Sequence, residues 1–550
     1  MNKIGLLTLG ILCHAIHYGA PIKLSVFQPP TTSLNTEFNF TASFEEPEEV
    51  ARRFISSQTH NLGYYSTFAS DTYDTQDLAL HKVEEHQHAT HVVFQQELDG
   101  IPVFGQQLKI HLREDQSVLL MNGHYVNLEE AEIFNLRTIE QEQALSIGRR
   151  AFNLEEGIEG QILETFIPFK ESLVRGYKIL FIVPGKGELV ALVDGTKGNV
   201  IKTYNQVLDT PRHKTTKKPK QKVESLLKEF KNSQPPRAPA SQTKPDRVNP
   251  GESKKPSGWI HSSSFKTEPE MKKVELKGLD KNGHLSGTAC KLENKKEAKA
   301  HSEKGEFLFR PESTHYHEVM VYFHITEMRD YLKSIGVSLN TKPTTATVHY
   351  NDDDNSFYSP ARKELFFGDG GVPDSADADI ILHEFGHAIV DQLSGLEGGW
   401  GSQGSAMHEG YGDYVAASFF GSPDIGEWDS SAYSEDGFLR TLKNQKKFPE
   451  DLTHQGHEDG EIWGGVLWDL YKELDKEISD HLVYHSLRFL PQDANFRDGL
   501  VAILSADETL YKGKYRKVAL KVFENRGITI EDTEEEEEVQ QERFNDLYTE

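Results

Sequence analysis

The sequence predicts an α+β protein built from two folded units, and three observations carry this prediction. Residues 91–123 alternate apolar and polar side chains between turn residues, a pattern typical of a meander of β-hairpins. Residues 377–392 and 406–420 are instead apolar along one side at helical spacing. Between these regions, residues 206–258 are basic and rich in proline, which indicates a boundary between two units.

Length, charge and cysteine content narrow the class of protein. A chain of 550 residues is long enough for more than one core. The formal net charge of −26 argues against nucleic acid as a partner. The two cysteines are Cys13 and Cys290, so a disulfide framework is excluded, and we interpret Cys290 as a packed core residue.

The first twenty residues resemble a secretory signal. Lys3 supplies a positive start, and Ile4–Cys13 form an apolar stretch too short to span a bilayer. We therefore expect Met1–Ala20 to be removed on secretion and expect no membrane anchor. A buried N-terminal strand is the alternative.

The first folded unit is predicted to consist of two small α+β modules. Its strands include Val103–Leu112 and Val118–Met121, and the run QQELDGIPVFGQQLKIHL resembles the propeptide domain of fungalysin- and thermolysin-type metallopeptidases. The helix expected at Thr138–Phe152 and the strands that follow it resemble a PepSY module. The resemblance implies a propeptide module at 21–130 and a PepSY-like module at 131–205, which together inhibit the enzyme and assist its folding. An unrelated α+β domain is the alternative.

The stretch 206–258 is predicted to be a disordered linker. Residues 206–257 contain 13 Lys and Arg against 5 Asp and Glu and hardly any aromatic side chains. Such a segment buries too little apolar surface to fold by itself and is open to proteolysis.

The second unit, 259–530, is predicted to begin with strands and to continue with helices. A helix is expected over His317–Ile335 and a strand over Thr345–Tyr350, and then the segment NSFY follows. That segment resembles the edge strand of thermolysin-like enzymes, which holds an extended substrate by backbone hydrogen bonds. The resemblance implies that Asn355 and Ser356 bind substrate; an ordinary surface hairpin is the alternative.

The helix at Asp377–Gln392 carries the motif H-E-x-x-H. Its start is expected at a cap on Asp374 or Ser375, and its end at Gly395. His383 and His387 are four residues apart, so they share one face and can bind one tetrahedral ion. Glu384 lies beside them, where it can hold a water molecule on that ion.

A catalytic zinc site needs a third protein ligand. The metzincin solution requires Gly at 390 and His at 393, and the chain has Val390 and Leu393 there. The gluzincin solution takes a glutamate from the next helix and an acidic residue four positions later, which Glu409 and Asp413 supply. Asp413 is expected to accept the remaining ring N–H of His383 and so to orient it.

The segment THQGHEDGEIWGGVLWDLY resembles the fungalysin-like stretch in which a histidine stabilises the transition-state oxyanion. By position this histidine is His457, with His454 and a simple helix-capping role as alternatives. The resemblance extends, with gaps, from about residue 91 to about residue 528. It implies a bilobed thermolysin-like catalytic domain with a β-rich N-terminal lobe, a helical C-terminal lobe and zinc between them.

The sequence also departs from thermolysin. No tyrosine lies between His387 and Glu409 to assist the oxyanion, so Trp400 is the candidate there. Asp379 occupies the position of a calcium ligand, but Phe420 replaces an expected glutamate, which makes a double calcium site doubtful. A simpler Ca²⁺ site remains open, for which Asp424, Glu427 and Asp429 are the candidates. Residues 531–550 contain 10 Asp and Glu and one Arg and are predicted to be a disordered acidic tail.

These features predict a secreted, zinc-dependent endopeptidase made as a zymogen. Its catalytic residues would be Glu384 and His457, its single Zn²⁺ would be held by His383, His387 and Glu409, and its substrates would be proteins or peptides. Two alternatives remain: a gluzincin aminopeptidase, and a zinc-binding pseudopeptidase or secreted binding module without catalysis.

Overall fold

A computed structural model describes residues 22–27, 46–57, 77–126, 128, 131–169, 172–209, 220–233, 255–264, 270–397, 402–432 and 436–530. The predicted signal at 1–20, the predicted tail at 531–550 and Trp400 lie outside these ranges.

The helices and strands follow the chain in three groups. The first unit contains β1 (Ile22–Phe27), α1 (Pro47–Ser57), β2 (Leu78–Glu85), β3 (Ala89–Leu98), β4 (Ile101–Arg113), β5 (Val118–Tyr125), β6 (Glu132–Phe134), α2 (Gln141–Ala151), β7 (Gln161–Phe169), β8 (Ser172–Val183), β9 (Gly187–Asp194) and β10 (Val200–Asn205). The stretch between the units contains β11 (Leu208–Asp209) and α3 (Lys220–Lys231). The second unit contains β12 (Ser257–Ile260), β13 (Lys272–Glu275), β14 (Cys290–Asn294), β15 (Glu306–Phe307), α4 (Thr314–Ser334), β16 (Thr344–Val348), β17 (Phe357–Ser359), β18 (Glu364–Phe366), α5 (Ala378–Ser394), α6 (Gln403–Phe420), β19 (Asp424–Ile425), β20 (Arg440–Thr441), α7 (Gly456–Ser486), α8 (Phe496–Tyr511) and α9 (Arg516–Glu524).

The strands of the first unit form one large sheet, which has two parts. In the first part β2, β3, β4, β5 and β1 pair antiparallel in that order, which confirms the predicted meander. In the second part β7, β8, β9 and β10 pair antiparallel, and β6 adds in parallel to β8. A single parallel pairing, Val103 with Phe166, joins the two parts. The pairing of β1 with β5 spans about a hundred residues of sequence, and the polar stretch at 21–49 carried no signal for it.

The stretch between the units differs from the expectation of a structureless linker. β11 adds antiparallel to β17 of the second unit. In α3, Leu227 and Phe230 lie three residues apart and so share one face, and Phe230 is 1 % exposed. Its ring stacks on Trp428 with 4.8 Å between the centroids. The overall composition of this stretch is rich in lysine and therefore gave no sign of the short amphipathic helix. The helix folds because the second unit supplies its apolar partner.

The second unit begins with strands and continues with helices, in agreement with the predicted α+β class. Its largest sheet has the strand order β11, β17, β18, β16, β14. Helix α4 packs against β12 and β14, and α5 packs between α4 and α6. One continuous cluster of buried side chains fills the interior of this unit.

The helix with the H-E-x-x-H motif starts later than predicted. Asp374 and Ser375 form a short 3₁₀ turn, and the cap is Asp377, whose carboxylate accepts from the N–H of Asp379 at 3.0 Å. The prediction of Asp374 or Ser375 as the cap is therefore wrong, because all three side chains have capping oxygens and the backbone turn selects the last of them. The end at Gly395 is confirmed, in the left-handed conformation with φ of 65°.

The two units are packed together through polar and apolar contacts. The buried Nζ of Lys109 lies 2.7 Å from the carbonyl oxygens of both Ser394 and Leu490. The amide of Asn122 donates to the carbonyl of Phe489 at 2.7 Å, and the ring of His111 lies 5.1 Å from the Phe489 ring. This interface joins the face of β4 and β5 to the helical part of the second unit.

Candidate metal centre

Helix α5 places three functional side chains together in the interior. His383, Glu384 and His387 are each 0 % exposed, and their nitrogen and carboxylate oxygen atoms lie within 4.8 Å of one another. The two imidazole rings are 4.8 Å apart and nearly perpendicular. Three polar, chemically reactive side chains with no exposure, grouped on a helix that is buried on most sides, indicate a site rather than a solvated face.

Two glycines let α5 and α6 approach closely enough to complete the site. A Cβ added at Gly386 would lie 2.7 Å from the Cα of Gly412, so the helices touch at the backbone there. A Cβ added at Gly412 would lie 2.9 Å from Nδ1 of His383. Any larger residue would push α6 away from the histidines, and with it Glu409 and Asp413, which lie on either side of Gly412.

Helix α6 brings both predicted acidic residues to the histidines. The Oε2 atom of Glu409 lies 3.3 Å from Nε2 of His383, and its Oε1 atom lies 3.7 Å from Nε2 of His387. On the other side of the ring, Oδ1 of Asp413 lies 2.8 Å from Nδ1 of His383. Asp413 thus holds one nitrogen of His383, and the other nitrogen faces Glu409 and His387.

Burial and the opposing charges set the protonation of this group. Burial disfavours the charged imidazolium, but the carboxylates of Asp413 and Glu409 outweigh it and raise the pKa of His383 to about 10. Burial, helped by the neighbouring histidines, keeps the pKa of His387 well below its usual value although Glu409 opposes this shift. The pKa of Glu409 falls to about 2 despite its burial, because three histidines surround it. The buried carboxylates of Glu409 and Asp413 therefore favour positive charge at this point.

The atoms that face one another fit a zinc ion. Among the described residues, Nε2 of His383, Nε2 of His387 and Oε2 of Glu409 are buried with no hydrogen-bond partner. Ligand atoms at about 2.0–2.1 Å from a tetrahedral zinc lie about 3.3 Å apart, close to the distances observed here. Two neutral imidazoles and one carboxylate form a known zinc donor set that leaves the fourth position open.

The helix α7 contributes a third histidine at its first turn. Nε2 of His457 lies 3.3 Å from Oε2 of Glu409, and the residue is 5 % exposed. His454, the alternative, is exposed and lies before the helix in the left-handed region with φ of 59°. A Cβ added at Gly460 would lie 2.7 Å from the Cβ of Glu409, so α7 and α6 also pack at close range. The structure thus brings His457 to the site and leaves His454 outside it.

Arg440 is part of the site and was missed from the sequence. Its guanidinium forms a two-pronged hydrogen bond with Asp413, at 3.0 Å to Oδ2 and 2.8 Å to Oδ1. Burial would raise the pKa of Asp413, but Arg440 and His383 hold it below its usual range. Asp413 and Arg440 are 27 positions apart with no regular repeat between them, so spacing carried no signal; the role of this buried arginine, the first residue of β20, is visible only in the fold.

The predicted substrate-binding segment is only partly exposed. Ser356 is fully buried, and its hydroxyl donates to Asp374 at 2.6 Å and accepts from the N–H of Gly368 at 3.3 Å, so its side chain is already engaged within the protein. Asn355 is half-buried. The strand β17 that follows has β18 on one edge and β11 on the other, so the chain's own segment covers the edge predicted for substrate.

The residues considered for calcium form two groups near the start of α5. Asp379 is buried and accepts from the N–H of Gly426 at 3.3 Å, and burial together with Glu427 raises its pKa well above the usual value. Asp429 lies within 4.8 Å of two other carboxylates, those of Asp354 and Asp374. Asp424 is separate from both groups and accepts from the hydroxyl of Thr441 at 2.7 Å.

Three segments of the chain match known families. Residues 82–125 match the fungalysin/thermolysin propeptide motif. Residues 261–391 match the catalytic domain of the thermolysin metallopeptidases, and residues 372–531 match the fungalysin metallopeptidases. The two catalytic matches overlap on the H-E-x-x-H helix, and the fungalysin match contains Glu409, Asp413 and His457.

Curated relatives carry corresponding names. The chain is 22 % identical over 475 residues to the zinc metalloproteinase of Listeria monocytogenes serovar 1/2a, covering 80 % of this chain and 86 % of the relative. It is 23 % identical over 198 residues to extracellular metalloproteinase 2 of Trichophyton tonsurans, covering 28 % of this chain and 30 % of the relative. It thus spans most of the bacterial relative but less than a third of the fungal one. Among solved structures, the C-terminal domain of Bacillus megaterium YpeB is 11 % identical with a TM-score of 0.17, covering 30 % of this chain and 68 % of that one.

Fold, site and family matches together define the class: the chain is a zinc metallopeptidase, a hydrolase of peptide bonds. Within that class its matches are to the fungalysin and thermolysin metallopeptidases, and a match to the propeptide motif of these enzymes lies ahead of the catalytic segments. No helix among the described residues is long and apolar enough to cross a membrane.

Proposed function

We propose that this chain is a secreted endopeptidase that uses one zinc ion and is made as a zymogen. His383, His387 and Glu409 hold the metal, Glu384 and His457 are the catalytic residues, and the site lies between a β-rich and a helical lobe. The observation that carries the proposal is the set of buried, mutually facing ligand atoms of the two histidines and Glu409. Secretion is proposed from the extracellular fungal relatives together with the predicted signal.

Each step of the proposed reaction is assigned to particular side chains of the chain. When bound, Zn²⁺ polarises a water molecule and the scissile carbonyl. Glu384 takes a proton from the water and passes it to the leaving amine. His457 donates a hydrogen bond to the oxyanion as negative charge develops on that oxygen. Donors of this kind stabilise the transition state by about 3 kcal/mol. Asp413, held by Arg440, keeps His383 aimed at the metal position.

We propose that the first unit, together with β11 from the stretch that follows it, inhibits the enzyme by covering the substrate edge. β11 takes the edge of β17 and packs against α6, the helix that carries Glu409. The buried carboxylate of Glu188 accepts from the hydroxyl of Ser359 and from the N–H of Ala361 at 3.1 Å. These contacts occupy the backbone groups that an extended peptide would use. Asn355 and Ser356 would then contact substrate through their backbone once β11 leaves.

Calcium is a further proposal, restricted to the acidic residues near α5. Asp379 and Glu427 bury like charges that a divalent cation would stabilise. This proposal is tested by thermal unfolding of the protein with calcium and with a calcium-selective chelator. An unchanged melting temperature would exclude a structural calcium ion.

Two variants test the metal and the catalytic base separately. Glu409→Ala should lose most of the bound zinc, because it removes one of three ligands. Glu384→Gln should keep one zinc per chain and lose hydrolysis of an N-terminally blocked peptide, because Glu384 is not a ligand. Hydrolysis of the blocked peptide by the wild type also separates an endopeptidase from an aminopeptidase. Unchanged zinc content and activity in both variants would refute the assignment.

A further inference from the structure

His457 is preceded by a residue that holds it in a defined orientation. Gln455 is the N-cap of α7, and its side-chain oxygen accepts from the backbone N–H of Glu458 at 2.8 Å. The other end of the same amide lies 3.3 Å from Nδ1 of His457. One side chain therefore begins the helix and contacts the histidine two residues later.

The helix cap determines which way the Gln455 amide points. A backbone N–H only donates, so the atom that faces Glu458 is the carbonyl oxygen. The atom that faces His457 is then the NH₂ group, which also only donates. It follows that Nδ1 of His457 accepts the hydrogen bond and, in the neutral ring, the proton resides on Nε2.

The nitrogen that carries this proton is the one that faces the site, because Nε2 lies 3.3 Å from Glu409. The backbone around the ring is also fixed: the carboxylate of Asp459 accepts from both the N–H and the hydroxyl of Thr453, at 2.7 and 2.9 Å. The loop before α7 is thus tied to the first turn of the helix that carries His457.

We propose that Gln455 is a positioning residue that holds His457 as the Nε2–H tautomer, so that the neutral ring donates to the oxyanion. This rests on the proposed role of His457. A carboxylate at 455 would cap the helix equally well, but it would accept from Nδ1 and draw the proton to that side. A neutral ring would then present a lone pair to the oxyanion instead of a donor.

Gln455→Glu separates the two roles of the residue, since it keeps the cap oxygen and reverses the hydrogen bond to His457. In the zinc-loaded enzyme it should lower kcat on a blocked peptide about 10- to 100-fold, which does not exceed the loss of about 100- to 1000-fold seen when one oxyanion donor is removed. KM, zinc content and unfolding midpoint should stay close to those of the wild type. Gln455→Ala should lower both kcat and the unfolding midpoint, because it also removes the cap.

A double variant and a spectrum make the test decisive. In a His457→Ala background, Gln455→Glu should cause no further loss of kcat, because the amide acts through the ring. Nitrogen-15 NMR of the wild-type zinc enzyme should show the His457 proton on Nε2, and that of Gln455→Glu should show a proton on Nδ1. A wild-type kcat for Gln455→Glu, a further loss in the double variant, or a wild-type proton on Nδ1 would each overturn the proposal. An inactive wild type would instead refute the proposed function, and the spectrum would still decide the tautomer.

Discussion

Removing the carboxylate of Glu188 should weaken the hold of the propeptide on the catalytic unit. Glu188 is 2 % exposed and bonds the hydroxyl of Ser359 and the N–H of Ala361 across the interface. Hydrogen bonds to a charged group contribute about 1.5–3 kcal/mol each, and part of that is recovered when water reaches the freed groups. We therefore expect Glu188→Ala to cost about 2–4 kcal/mol, which corresponds to about 30- to 1000-fold weaker inhibition.

The assay is hydrolysis of a blocked peptide by freshly purified protein that has been cut in the stretch between the two units, with the propeptide still associated. Glu188→Ala should show markedly higher initial activity than the wild type, with the same activity after the propeptide has been fully digested. Glu156→Ala is the matched control, because Glu156 is an exposed carboxylate of the same unit. If Glu188→Ala and Glu156→Ala give the same initial activity as the wild type, the contact does not contribute to inhibition.

Three further predictions follow from features of the fold. Phe230→Ala should lower the free energy of unfolding by about 3–5 kcal/mol in urea titrations made in an inactive Glu384→Gln background, while the exposed Glu229→Ala should change it little. Burial lowers the pKa of Lys109 to about 7 and that of His111 to about 3, so the docked propeptide binds fewer protons than the released one. Docking should therefore weaken as the pH falls from about 10 to 7 and again from about 6.5 to 3; propeptide dissociation that does not depend on pH would contradict this. Finally, expression of the wild type beside Glu384→Gln should show cleavage between the units only in the wild type if the cut is made by the enzyme itself, and in both if another protease makes it.

Much of the site could be predicted because its signals are local. The spacing of His383 and His387 follows from helix geometry, and Glu409 and Asp413 repeat that spacing on the next helix. The structure brings all four together, and it brings His457 rather than His454 to them. Local periodicity was sufficient here because each helix carries its functional residues within one or two turns.

The features that were missed depend on contacts between distant parts of the chain. Arg440 reaches Asp413 because β20 pairs with β19, which packs against α6, and no spacing rule connects the two residues. Phe230 folds into the second unit although its own segment is rich in lysine and proline. The cap of α5 is Asp377 and not the predicted Asp374 or Ser375, since several neighbouring side chains could serve and only the backbone turn distinguishes them. The likeness of residues 131–205 to a PepSY module stays a prediction.

The continuous buried cluster of the second unit includes side chains from outside it. Ala89 and Leu120 come from the first unit and Phe230 from the stretch between the units, and all three belong to the same cluster as the catalytic helices. Cutting the chain between the units breaks a peptide bond but removes none of this shared interior, so the two pieces should stay together after the cut. Cleavage and the onset of activity are then separate events with a delay between them. The length of that delay depends on how fast the cleaved first unit is degraded. The rate of this degradation, and not the cut itself, then determines when activity begins.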